Sequence, residues 1–248
     1  MIQNRTILVT LFFALFIGVL SAAPDPVAII KQVDKQLSAK TRRIESTMVI
    51  HGKRNKREIT SLGYTEGMTR SYTEYLSPAR DKGTKMLKLE DEMWIYSPST
   101  DRTIMISGHM MRQSVMGSDL SYEDLMDDRE LLEIYEPSYV KEETIDGRPC
   151  HIIKLTAKVT DIAYASRLLW VDVEYVVPLR QQLFAKSGEQ LKEITLSDVQ
   201  RINGRWFPMK MNYKDMLKDG KGTDWIVQKI AFEVAIPASV FTKASLRR

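Results

Sequence analysis

The chain has 248 residues, with 36 lysines and arginines against 32 aspartates and glutamates, three histidines and a single cysteine. The net charge of +4 is spread over interleaved signs without a one-signed stripe, which argues against nucleic-acid binding. A lone cysteine excludes an intramolecular disulfide, so stability has to come from a large core.

Residues 1–22 have the three parts of a secretory signal peptide: a short start with Arg5, an apolar run from Ile7 to Leu20, and small residues at Ser21 and Ala22. The run is shorter than the about 20 residues a spanning helix needs, so cleavage rather than anchoring is expected. Pro24 disfavours a cut after Ala23. Nothing later is long and apolar enough to span a bilayer, and no cysteine near the leader's end could carry a lipid anchor. The expected product is one exported, soluble domain, residues 23–248, whose charge falls to +3 with the loss of Arg5.

Pro26 to Leu37 is predicted to be a helix, with Val27, Ile30, Val33 and Leu37 on one stripe and Pro26 in the first turn. From Arg43 the period becomes two: Ile44, Ser46, Met48 and Ile50 alternate with Arg43, Glu45, Thr47 and Val49. Ser99-Thr100-Asp101, Asp146-Gly147, Asn203-Gly204 and Asp219-Gly220 read as hairpin turns. Short helices are expected from Ser121, as N-cap, through Met126, and as a turn over Val159 to Ala165. Phe207, Met209, Met211 and Tyr213 share one strand face, and Ile226, Gln228, Ile230 and Phe232 another. Ten or eleven strands without a strand–helix–strand rhythm predict a long antiparallel sheet, one side wet and one dry, curling on itself through strand twist. Cys150 is expected as a small buried hydrophobe in a strand. Lys and Arg recur within most strands, which argues against an outer-membrane barrel.

No nucleophile elbow, His-Glu-x-x-His or phosphate-cradling loop is present, and His51, His109 and His151 are too scattered for a zinc site. The chain is read as a non-enzyme without cofactor or metal. Met105, Met110, Met111 and Met116 with His109 invite a copper(I) reading, but their spacing is weak. The methionines serve equally as a lid over the sheet or as filling for its core. Asp119, Glu123, Asp124, Asp127 and Asp128 lack the spacing of a calcium loop and read as a solvated helix end.

The stretch Gln113-Ser114-Val115-Met116-Gly117-Ser118-Asp119-Leu120-Ser121-Tyr122-Glu123-Asp124-Leu125 resembles the LolA-like outer-membrane lipoprotein-sorting protein family, in the uncharacterised branch often linked to RND-type exporters. Leu169-Trp170-Val171-Asp172, Asn203 to Pro208, and Ile236-Pro237 to Phe241-Thr242 extend the resemblance over nearly the whole mature chain. It implies a periplasmic protein that meets the membrane only transiently. It also implies an unclosed β half-barrel, with helices as lid over a hydrophobic cavity for a lipid or a lipoprotein acyl chain. The implied acceptor is an RND-type exporter or another envelope partner. The expected cavity lining is Phe207, Met209, Met211, Tyr213, Ile226, Ile230 and Phe232, and the expected lid is Met110, Met111, Met116 and Leu120. Burying fourteen methylenes would gain roughly 11 kcal/mol before ordering costs, enough for affinity without catalysis. An envelope sensor acting through protein contacts, or a β domain with a filled core, are the alternatives.

Overall fold

The computed structural model describes residues 23–52, 55–127 and 129–247; the expected leader lies outside them. Helix α1 spans Pro26–Leu37. The Asp25 carboxylate caps its start by accepting from the Val27 amide at 2.9 Å, with proline in the first turn where its missing N–H costs nothing. Its buried face is Ile30 and Val33, flanked by Ile29 and Leu37, whereas Val27 is exposed and does not belong to the stripe.

Thirteen strands follow, more than the alternation suggested. They are β1 (Thr41–His51), β2 (Lys56–Glu66), β3 (Arg70–Ser77), β4 (Lys85–Leu89), β5 (Glu92–Ser97), β6 (Arg102–Ile106), β7 (Tyr135–Ile145), β8 (Arg148–Ala157), β9 (Ser166–Asp172), β10 (Pro178–Phe184), β11 (Gln190–Ile202), β12 (Arg205–Asp215) and β13 (Thr223–Phe232). All neighbours pair antiparallel in one sheet, in the order β6-β5-β4-β3-β2-β1-β13-β12-β11-β10-β9-β8-β7. The sheet is two meanders joined where β1 meets β13, and its edges β6 and β7 do not pair. The turns at 99–101, Asp146-Gly147 and Asn203-Gly204 fall where read. Asp219-Gly220 is not a two-residue turn but part of the longer loop from Asp215 to Thr223, in which Gly220 and Gly222 take positive φ. At Asn203-Gly204 both residues take positive φ, 49° and 82°, as a tight turn matched to the strand twist demands.

This order has a consequence for residues 107–134. Strands β6 and β7 are consecutive in the chain yet lie at opposite edges of the sheet, so their connection has to cross the whole sheet. It crosses the concave face. Val115, Leu120 and Tyr122 pack on Met48, Ile59, Tyr75, Met86 and Met93 of the first meander. Helix α2 (Tyr122–Met126) follows, and then α3 (Leu131–Ile134) packs with α1 on Ile153, Leu155, Leu169 and Val171 of the second.

The outer face is not uniformly wet. Tyr72, Leu87 and Trp94 face outward and are covered by Ile236, Val240, Phe241 and Leu246 of the C-terminal segment, with the Lys243 ammonium 4.0 Å from the Trp94 ring centre. Cys150 lies in an outer cluster with Ile152, Trp170 and Leu179, and burial pushes its thiol up to about 11, which suppresses the reactive thiolate. No helix forms over Val159–Ala165. The loop's ends are already paired, Ala157 N–H to Ala165 O at 2.9 Å, and Val159 and Ile162 turn onto the α1 cluster.

One polar group is strained by this packing. Asp34 of α1 faces the start of α3, and one of its oxygens is buried without a hydrogen bond. Burial, helped by Glu130 and Glu133, raises its pKa to about 6 despite backbone hydrogen bonds from Leu131 and Leu132. A raised carboxyl pKa means that the cost of ionisation grows as pH rises from about 4 and is complete above 6. Asp34→Asn is therefore expected to raise the melting temperature at pH 7 and leave it nearly unchanged at pH 4; equal effects at both would contradict this origin.

Candidate binding cavity

The register of the first meander sets side chains into rows that point into the concavity. Arg42 pairs with Thr65, Thr65 with Ser71, and Ser71 with Lys88. The next row is Ile44, Gly63, Thr73 and Met86, and then come Ser46, Ser61 and Tyr75. All of these line one cavity of about 470 Å³. Its opposite wall is Trp225 and Val227 of β13, Phe207, Met211 and Tyr213 of β12, and Ile194 and Leu196 of β11. Val115, Leu120 and Leu125 of the crossing segment roof it, and Leu37 of α1 closes one side.

The hollow exists because the floor is small. Gly63 contributes no side chain, and Ser46 and Ser61 contribute hydroxyls that satisfy each other at 3.1 Å. A Cβ on Gly63 would meet only ordinary contacts at 3.8 Å or more, so this glycine is not demanded by the backbone. The size falls within the about 300–1,000 Å³ typical of small-molecule sites.

Of the residues expected to line a cavity, Phe207, Met211 and Tyr213 lie on its wall. Met209 and Phe232 are buried beside it in a cluster with Phe207 and Val227, where the Phe207 and Phe232 rings meet edge to face at 5.6 Å. Ile230 packs on that cluster opposite Ile44. Ile226 points the other way. A β-bulge between Glu45 and Ser46 skips Gln228 in the pairing, so Trp225 and Val227 face inward before it and Ile230 and Phe232 after it. Alternation cannot reveal a change of parity within one strand.

Leu120 lines the cavity, whereas Met110, Met111 and Met116 pack against the cluster beneath it without reaching the wall. Both functions left open for this segment are thus divided among its residues: Val115, Leu120 and Leu125 roof the cavity, and the methionines pack on the adjoining core. Of the acidic run, Glu123 and Asp124 stand in the first turn of α2 as expected, and Asp128 lies outside the described residues. Asp119 and Asp124 are bound by partners in the sheet instead of being solvated. Asp119 accepts from the Thr223 hydroxyl at 2.8 Å and from the Asp215 amide at 3.1 Å. Asp124 completes a capping box with Ser121, pairs with Lys192 and accepts from the Tyr164 hydroxyl at 2.6 Å. Asp127 pairs with Arg167. On the other meander, the Lys88 ammonium donates to the carbonyls of Leu125 and Met126 at 3.3 Å. The crossing segment is therefore latched to both halves of the sheet. Burial by itself would raise the Asp124 pKa, but the Lys192 charge and the hydrogen bonds from Lys192, Tyr164 and Ser121 outweigh it and hold it below the usual carboxylate value.

Among the described residues no group of three or more His, Cys, Asp or Glu side chains is placed to hold a metal ion, and no helix is long and apolar enough to cross a membrane.

A family model described as "Uncharacterized protein" matches residues 67–248, well over half of the chain. The chain belongs to that family. No curated protein matches it. Solved structures are similar over 90% of this chain: a DUF1329 family protein from Desulfovibrio piger (TM-score 0.80, 24% identity, all of that chain covered) and a domain assigned to outer-membrane lipoprotein sorting from Vibrio parahaemolyticus (TM-score 0.79, 19% identity, 98% of that chain covered). A LolA superfamily protein from Nitrosomonas europaea is similar at TM-score 0.73 with 19% identity, over 90% of this chain and all of that one. The fold of this family member is LolA-like: a thirteen-stranded antiparallel sheet left unclosed, with few helices.

The residues that sequence reasoning missed are mostly in β1 to β4. Ile44, Ser46 and Met48 were visible as one face, but nothing in the chain itself says that this face meets Tyr75, Met86 and Trp225 across a shared hollow. Gly63, in the interior of a strand, was the available clue, because such glycines mark places where something else approaches the backbone.

Proposed function

We propose that this protein is an exported, periplasmic carrier that binds one acyl chain of a lipid or lipoprotein in the concave cavity and hands it to an envelope partner, acting by binding and release rather than by chemistry. The observation that carries this reading is the 470 Å³ hollow left unfilled between a curved sheet and its own roof. Its walls beyond the Arg42 row are chiefly Met, Tyr, Ile, Leu, Phe and Trp side chains, a surface that suits a flexible hydrocarbon and fixes no orientation of its own. The fold shared with a domain assigned to lipoprotein sorting supports it. Release would follow from displacement of the roof, which is held by ion pairs and hydrogen bonds as well as by apolar packing, in favour of an acceptor with a better apolar site. An RND-type exporter is the acceptor that the sequence resemblance suggests.

The test is to purify the mature protein from native envelope, sequence its N-terminus, extract it and weigh the extract by mass spectrometry. The expected result is an N-terminus near residue 23 and one acyl species per protein, with a transporter retained when the protein is used as bait. Protein that emerges free of lipid, and that fails to take up acyl chains offered in solution, would end the carrier reading.

A further inference from the structure

The cavity is not evenly apolar. Along β1 its wall changes from Arg42 through Ile44 and Ser46 to Met48, six residues or about 20 Å of strand. The Arg42 row continues across the sheet as Thr65, Ser71 and Lys88, with neighbouring strands about 4.8 Å apart. At the opposite end Met48 pairs with Trp225, with Val115 and Leu120 over it. The hollow thus has one cationic, hydroxyl-bearing end and one greasy end.

The Arg42 guanidinium is engaged only by neutral groups: it donates to the Thr65 hydroxyl at 3.2 Å and to the Leu37 carbonyl at 3.3 Å. Among the described residues no carboxylate lies within ion-pair distance of it. The acids that do face the cavity are already bound, Asp124 by Lys192 and Asp127 by Arg167, and the neighbouring Arg70 is held by Glu66 at 2.9 Å. Burial and the nearby positive charge of Arg205 both disfavour the charged form of Arg42 and lower its pKa. A partly buried arginine with five donors and no anion is costly to keep unless an anion arrives with the guest.

We propose that the guest is an anionic lipid, whose carboxylate or phosphate sits against Arg42, Thr65 and Ser71 while its chain runs toward Met48 and Trp225. This rests on the carrier reading and narrows it. The thioether and amide linkages of an acylated lipoprotein anchor carry no charge at their head, so they would leave Arg42 unsatisfied.

Delipidated full-length mature protein should be titrated with palmitate, hexadecyl phosphate and methyl palmitate, each displacing a fluorescent apolar probe. One or both anions are expected to bind about tenfold or more tightly than the neutral ester, and the stronger of the two names the headgroup. Arg42→Gln should abolish that preference, and Arg42→Lys should restore part of it. Equal binding of all three by the wild type overturns the headgroup assignment while leaving an acyl-chain site intact. If no amphiphile binds, both readings fall. Should Arg42→Gln not fold, the wild-type comparison still decides.

Discussion

Gly63→Leu is expected to yield a folded protein that no longer holds an acyl chain. The new side chain would project from the floor beside Thr73, into space that nothing in the protein fills, and its Cβ would make ordinary contacts with Thr73, Tyr72 and Ile44. Replacing a strand-interior glycine also removes an entropic cost of roughly 0.5–1 kcal/mol, so thermal stability should hold or rise. Excluding even four methylenes from the cavity costs about 3 kcal/mol, roughly a 200-fold loss of affinity. Melting temperature and acyl-chain titration check the two halves separately. A stable variant with undiminished affinity would mean that the chain binds elsewhere.

Lys192→Met is expected to free the roof. Asp124 and Lys192 are 12% and 7% exposed, so the substitution leaves a carboxylate buried with only the Tyr164 hydroxyl and the Ser121 amide. Removing one partner of such a pair typically costs about 3–5 kcal/mol. The pH dependence gives the signature. With Lys192 in place the Asp124 pKa is depressed, so the latch's contribution is full above the ordinary carboxylate value of 3.8 and is lost only as pH falls through the lower folded value. Without Lys192 burial prevails and the pKa rises, so the penalty appears as pH climbs. The stability gap between variant and wild type should therefore be widest at neutral pH and narrow towards pH 3. Amide hydrogen exchange over residues 113–126 should quicken in parallel, as should release of a bound chain. A gap independent of pH would assign the loss to packing instead of charge.

How much of this was legible beforehand differs by residue. Asp25-Pro26 starts α1 as read, because capping and proline geometry are local. Asn203-Gly204 and Asp146-Gly147 make their hairpins, because positive φ is a property of two residues. The β12 face with Phe207, Met211 and Tyr213 was found by alternation, because no irregularity interrupts its inward positions. The β13 face was misread at Ile226, because the bulge that skips Gln228 is created by pairing with β1, 180 residues earlier in the chain. The solvation expected for Asp119 and Asp124 failed for a similar reason: Thr223 and Lys192, which bind them, are distant in sequence.

The sequence by itself determined the elements: where the helix begins, where strands turn, and which residues of a regular strand share a side. These depend on interactions between residues close along the chain. Only the tertiary structure decided that β1 pairs with β13, that the β6–β7 connection roofs the cavity, and that Arg42 ends up at one pole of a hollow with Met48 further along it. Those outcomes depend on register between distant strands, and a void is the absence of contacts, which no local pattern encodes.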